Sequence, residues 1–278
     1  MYPYIKIGPI ILWTYGLTGG VAFLCAWKLL EINLRRHDLP QRFAQPIILL
    51  LVVSGIAGAK LYAVLEAPGQ LLADPVSMIF SLNGYTWLGG FLAGVTALWF
   101  VAGRFSISSL ALLDLASPCA AFSYGIARLG CLLAGDGDYG TVTSLPWGMS
   151  FPHGMVPTVE HVHPTPIYEC LAGVLIFCYL WRIGGRDVRH GSIAARYLIL
   201  TGVARFLVEF IRRNPPVIPG LSDAQIISLL CVAAGLRLLA RTSREFESKT
   251  LLSQITYRLF TNGDHRNLRP APKANGDN

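Results

Sequence analysis

The sequence predicts an all-α, polytopic membrane protein with about seven transmembrane helices and a small cap on one membrane face. Three observations carry this prediction. The 278-residue chain is 53% hydrophobic and only 14% charged, with mean hydropathy +0.49, against about 25% charged residues in an ordinary soluble domain. The apolar residues fall in runs of roughly 20, the length a helix needs to cross the hydrocarbon core. Lys and Arg gather between and after those runs, so the net charge of +7 reads as membrane topology and excludes a nucleic-acid surface.

In chain order, the runs cover residues 10–30, 44–65, 85–103, 108–127, 165–182, 192–212 and 223–240. Met1 to Ile10 lacks a basic segment followed by a small-residue cleavage site, so the first run is kept as a span. Lys28, Arg35, Arg36 and Arg42 follow the first span, Arg104 the third, and Arg182, Arg186 and Arg189 the fifth. Arg237, Arg241, Arg244 and further cations follow the last. The opposite side has only Lys6, Arg128, Arg212 and Arg213. The positive-inside rule therefore places the N-terminus outside and the C-terminus in the cytoplasm, which requires an odd number of spans. The connection 128–164, punctuated by Pro146, Pro152, Pro157 and Pro164 and carrying Trp147 and Phe151, becomes an external cap. Residues 1–240 form the membrane domain, and 241–278 a polar cytoplasmic tail that is partly disordered, chiefly over 262–278.

The six cysteines lie mostly inside apolar runs and form no CxxC pair, so they read as small buried hydrophobes. His153, His161 and His163 have no metal-site spacing, and no metal or cofactor is expected. Ionisable residues at membrane depth each need a partner or a task. Lys60 reads as a snorkelling lysine near the end of the second span. Asp114 reads as the partner of a neighbouring cation, or of backbone freed by Pro118. Arg128 stands where an apolar helix gives way to Gly130, Gly135, Gly137 and Gly140. Close-approaching backbone N–H groups beside a guanidinium suit a phosphate. A membrane-surface loop with one snorkelling arginine has the same composition. In the sixth span Arg205, Glu209 and Arg212 fall at i, i+4 and i+7, hence on one helix face. Two arginines to one glutamate leave excess positive charge for an anionic head group.

Taken in order, these stretches resemble the prolipoprotein diacylglyceryl transferases of bacterial inner membranes. The resemblance runs from about Ile5 to Ser228. It rests on Ile7-Gly-Pro-Ile with Trp13-Thr-Tyr-Gly16, on Gly58-Ala-Lys-Leu-Tyr62, and on Ala127-Arg-Leu-Gly-Cys131 through Asp136. His163-Pro-Thr-Pro-Ile-Tyr-Glu169, Arg205-Phe-Leu-Val-Glu-Phe-Ile-Arg212 and Leu221-Ser-Asp-Ala-Gln-Ile-Ile-Ser228 complete it. The resemblance implies transfer of the diacylglyceryl group of phosphatidylglycerol to the lipobox cysteine thiol of a prolipoprotein, with glycerol 1-phosphate leaving. It places Arg128, Arg205, Glu209 and Asp136 in the catalytic centre. Arg128, Tyr15, Gly89, Gly90, Tyr168 and Arg212 are implied to bind substrate.

The chain departs from the family pattern at three positions. Leu88 stands before Gly89-Gly90 where members often carry a histidine or tyrosine, Cys131 where they carry asparagine, and Asp136 where they carry glutamate. Leucine cannot accept a proton, which leaves Tyr85, Asp136 and Asp138 as candidate bases. Two readings follow. One is an active transferase; the other is a catalytically impaired paralogue that binds anionic phospholipid without transfer.

Overall fold

The computed structural model describes residues 2–81, 86–104, 108–185, 189–214, 216–217 and 220–263, without the side chains of Ile10, Trp87 and 244–263. Among these residues the chain is a largely helical, polytopic membrane protein. A short hairpin, β1 (Tyr4–Ile7) and β2 (Ile10–Trp13), leads into α1 (Thr14–Arg36). After a single 3-10 turn come α2 (Ala44–Glu66), the short α3 (Pro68–Ala73) and α4 (Pro75–Phe80), then α5 (Trp87–Arg104) and α6 (Ser109–Ala134). A second hairpin, β3 (Met149–Phe151) and β4 (Thr158–Val162), precedes α7 (Thr165–Gly184), α8 (Ser192–Glu209) and α9 (Asp223–Gly263).

Seven of these helices coincide with the seven predicted runs, but not all to the same standard. Thr14–Arg36, Gln41–Glu66, Ser109–Ala134, Thr165–Gly184 and Asp223–Ser243 are long and apolar enough to cross a membrane; Leu88–Arg104 is apolar but shorter. Arg196, Arg205 and Glu209 interrupt α8. Large apolar side chains face outward along the bundle, with Trp99 and Leu175 each 69% exposed. Water does not tolerate such a continuous apolar surface, whereas lipid does.

Three expectations are corrected. The run starting at residue 10 opens as strand. Pairing of Ile10 with Ile7 and of Trp13 with Tyr4 satisfies the backbone before the helix begins, and the Thr14 hydroxyl seals the junction on the Pro3 carbonyl at 2.9 Å. The fourth run does not end at residue 127. α6 continues to Ala134 and stops where Gly135 adopts φ +60°, a left-handed cap that any side chain would strain. The cap connection is therefore 135–164. The sixth helix ends at Glu209, short of Arg212. Separately, α9 runs on through the polar segment after 240 as far as Gly263, and the stretch expected to be disordered lies almost wholly in 264–278, outside the described residues.

α6 is the central helix. It packs on α1, α7 and α8 and, at its start, on α5. One apolar core joins Leu30 and Leu34 of α1, Ile47 of α2, Leu98 of α5 and Leu112 of α6; another joins Ala121, Ile176, Leu180 and Ile193 across α6, α7 and α8. Asp114 settles on neither expected partner. Both its oxygens accept backbone N–H groups at the start of α8, from Gly191 at 2.5 Å and Ala194 at 2.7 Å, so it anchors one helix end on another. Lys60 clips α2 to the end of α4 through the Ser81 carbonyl at 2.9 Å and hydroxyl at 2.8 Å.

α5 lies against α2 through small residues. A Cβ on Gly89 would run into the Gly58 carbonyl, and one on Gly90 would lie 3.1 Å from the Gly55 carbonyl. Gly89→Ala is therefore expected to cost about 1–3 kcal/mol through overpacking. Gly94→Ala meets only Leu51 at 3.8 Å and serves as the neutral control. Thermal unfolding in detergent checks this. An unchanged unfolding midpoint in Gly89→Ala would show that the crossing tolerates a methyl there.

Candidate active site

Where α6 ends and α7 begins, three arginines and three carboxylates meet: Arg128, Arg205 and Arg212 with Asp138, Glu169 and Glu209. Arg128 comes from the penultimate turn of α6. Its guanidinium sits over the Tyr124 ring, one turn earlier, at 4.8 Å. Glu169 comes from the first turns of α7 and is 3% exposed. Its carboxylate reaches Arg128 Nε at 3.6 Å, Arg205 Nη1 at 3.5 Å and Arg212 Nη1 at 3.4 Å, and it accepts the Tyr124 hydroxyl at 2.6 Å. It is the one carboxylate among the described residues that meets all three arginines.

Arg205 and Glu209 form the expected i, i+4 pair on α8, with Nη2 2.8 Å from Oε2. Asn214 and Ser222 fix the other Glu209 oxygen at 2.6 and 2.8 Å. Arg212 does not share their helix face. It lies in the turn after α8, where residue 212 bridges to Gly140 and the Ile211 carbonyl accepts the Thr141 N–H at 2.8 Å. The cap loop thus brings Arg212 to the network, and the Arg212 Nε–Glu209 distance is 3.8 Å. The excess positive charge expected from two arginines and one glutamate is balanced here by Glu169 and Asp138.

Asp138 stands on the glycine-rich turn after α6. One of its oxygens accepts from Arg128 and the other from Arg212. Burial raises the Asp138 carboxyl, but the Arg212 hydrogen bond and the charges of Arg212 and Arg128 outweigh it and leave the carboxyl below its usual range. Burial, with the nearby Asp138 charge, pushes Asp136 up. Asp138 is therefore the anion that stays ionised, and Asp136 is the better proton acceptor of the two. Asp136 does not touch the arginines by a direct bond; it accepts the Asp138 N–H at 3.1 Å and lies beside the Cys131 thiol. Cys131, Asp136 and Asp138 bring one potential ligand atom each within 4.8 Å of one another. The two guanidiniums on Asp138 disfavour a cation there.

The remaining expected residues divide. Tyr15, in the first turn of α1, lies against Cys131 and within the fields of Asp136 and Arg128, so it borders the network. Tyr168 points to the cap, where Trp147 Nε1 donates to its hydroxyl at 2.8 Å and His163 Nδ1 lies 3.2 Å away. Gly89 and Gly90 belong to the α2–α5 crossing. Leu88 is half-buried at the start of α5, and Tyr85 lies outside the described residues. Glu169, Asp138 and Tyr124 were not assigned to the arginine centre from sequence. A carboxylate a few residues into an apolar run was the available signal for Glu169.

Fold and site together define a helical membrane protein with a largely buried guanidinium centre, equipment for holding an anionic group in a low-dielectric setting. A family model described as prolipoprotein diacylglyceryl transferase matches residues 3–241. The chain belongs to that family. A phosphatidylglycerol–prolipoprotein diacylglyceryl transferase of Leptospira interrogans is 30% identical over 243 residues, 78% of this chain and 76% of the relative. One from Chromohalobacter salexigens is 30% identical over 250 residues, 87% and 92% of the two chains. A Clostridium perfringens protein named phosphatidylglycerol–prolipoprotein diacylglyceryl transferase 2 is 30% identical over 232 residues, 82% and 90%.

Proposed function

We propose that this chain moves the diacylglyceryl group of phosphatidylglycerol onto the lipobox cysteine thiol of a prolipoprotein and releases glycerol 1-phosphate. It does so in the bacterial inner membrane, crossing it seven times with the arginine centre on the periplasmic side. The observation that carries this reading is the convergence of Arg128, Arg205 and Arg212 on one point. The thiol belongs to the substrate, so the enzyme's task is to help a phosphate leave near lipid. A guanidinium has five N–H donors, and the network leaves several for phosphate oxygens. Arg128 and Arg212 would clamp the departing phosphate, with Glu209 holding the third cation, Arg205. Stabilisation of charge that grows as the bond breaks lowers the barrier most. Asp136 accepts the thiol proton in this scheme. Tyr15 and Tyr168 border the head group. The seven-span reading makes 1–240 the membrane domain and 241–278 its cytoplasmic extension.

The decisive experiment is transfer with purified protein in detergent, phosphatidylglycerol and a lipobox peptide. The peptide cysteine should gain one diacylglyceryl group. Leu88, in place of a side chain that could take a proton, is the observation favouring a lipid-binding paralogue without transfer. Bound lipid with no mass gain, while an authentic relative is active in parallel, would decide for the paralogue.

A base with a raised pKa predicts a pH effect. Asp136 works only when ionised, so the acid limb of kcat/KM should lie at higher pH than an ordinary carboxylate gives. Asp136→Asn should lower the rate by about 10²–10⁴ and remove that limb. An unshifted acid limb in the variant's pH profile would assign the base elsewhere.

A further inference from the structure

Asp138 differs from the other carboxylates of the centre. The side chains of Glu169 and Glu209 are 3% and 2% exposed, while that of Asp138 is 29% exposed. Neutral donors anchor Glu169 and Glu209: Tyr124 on the first, Asn214 and Ser222 on the second. The Asp138 carboxylate, beside the Cys131 thiol, takes one guanidinium on each oxygen, Arg128 on one and Arg212 on the other. Its backbone is pinned independently. The N–H donates to Asp136 at 3.1 Å, and the carbonyl accepts the Thr165 hydroxyl. The side chain can therefore rotate out about its own torsions while the turn stays in place.

One anion bridging two arginines is also how a phosphate diester would be held. As it stands, the centre has three cations and three anions. A phosphate added on top of Asp138 would bring a fourth negative charge into a poorly solvated site, whereas exchange for Asp138 preserves the balance. We infer that Asp138 is a resident competitor. It occupies the phosphate seat between Arg128 and Arg212, swings out when a phospholipid head group enters, and returns to displace the released glycerol phosphate. This rests on the reading of the arginines as the phosphate site.

The test is binding of glycerol 1-phosphate, and separately of inorganic phosphate, to the full-length protein in detergent by calorimetry. Wild type, Asp138→Asn and Asp138→Ala are compared. If Asp138 leaves the seat open about one-tenth of the time, removing its charge tightens glycerol 1-phosphate binding about tenfold and lowers the KM for phosphatidylglycerol without raising kcat. A merely structural partner gives the opposite sign, because its loss loosens both arginines. Unchanged or weaker binding in the two variants, at an unaltered unfolding midpoint, overturns the inference. If Asp138→Asn misfolds, Asp138→Ala binding decides. Tighter phosphate binding without any transfer would remove the transferase reading and leave this one standing. Transfer without tighter binding does the reverse.

Discussion

Arg128→Ala should lower transfer by about 10²–10³, the scale for removing one donor that meets charge developing in a transition state. The variant should still fold. Asp138 retains Arg212, and Glu169 retains Arg205 and Arg212, so no buried carboxylate is left without a cation. Arg128→Lys should recover little of the activity. An ammonium cannot reach Asp138 and Glu169 from separate nitrogens, as the Arg128 Nη1 and Nε do, nor stack flat on Tyr124. Phosphatidylglycerol binding should weaken along with transfer. Single-turnover rates and lipid binding on the same preparation check both. Unchanged binding would remove Arg128 from the head-group site, whatever the rate does.

The sequence predicts the helices better than it predicts the centre. Apolar runs of span length coincide with α1, α2, α5, α6, α7, α8 and α9, because lipid imposes length and hydropathy directly on the chain. It misplaces their ends where local chemistry decides. Ile10 to Trp13 is as apolar as the helix it precedes, and only pairing with Tyr4–Ile7 makes it strand. Arg128 looks like the end of α6 because a charge and several glycines follow. Within the helix, Tyr124 carries the guanidinium and Gly130 lets α1 approach at Thr18, so the turn waits until Gly135. Arg205 and Glu209 are legible as a pair because four residues of helix bring them together. Asp138 and Glu169 are not, since their partners lie on other elements and reach them through the cap connection and the α6–α7 crossing. The expected charge excess failed for the same reason: counting along one helix omits carboxylates delivered by its neighbours.

Glu169→Ala should be the most disruptive single substitution in the centre. The carboxylate is 3% exposed and meets all three guanidiniums, which repel one another without it. Removing one side of a buried ionic network costs about 3–5 kcal/mol, because the desolvated partners lose their compensation. The unfolding midpoint in detergent should fall well below that of wild type, and transfer should be lost. Glu169→Gln separates charge from shape. Its amide oxygen can still accept from Tyr124 at the position of Oε1, so packing survives while the negative charge does not. If the network is held by charge, the glutamine variant should unfold nearly as early as the alanine one. A phosphate ligand should then restore part of its stability by mass action, since the anion replaces the missing charge. Should Glu169→Gln match wild type in both midpoint and transfer, the Tyr124 hydrogen bond, and not neutralisation of three arginines, would be what Glu169 supplies.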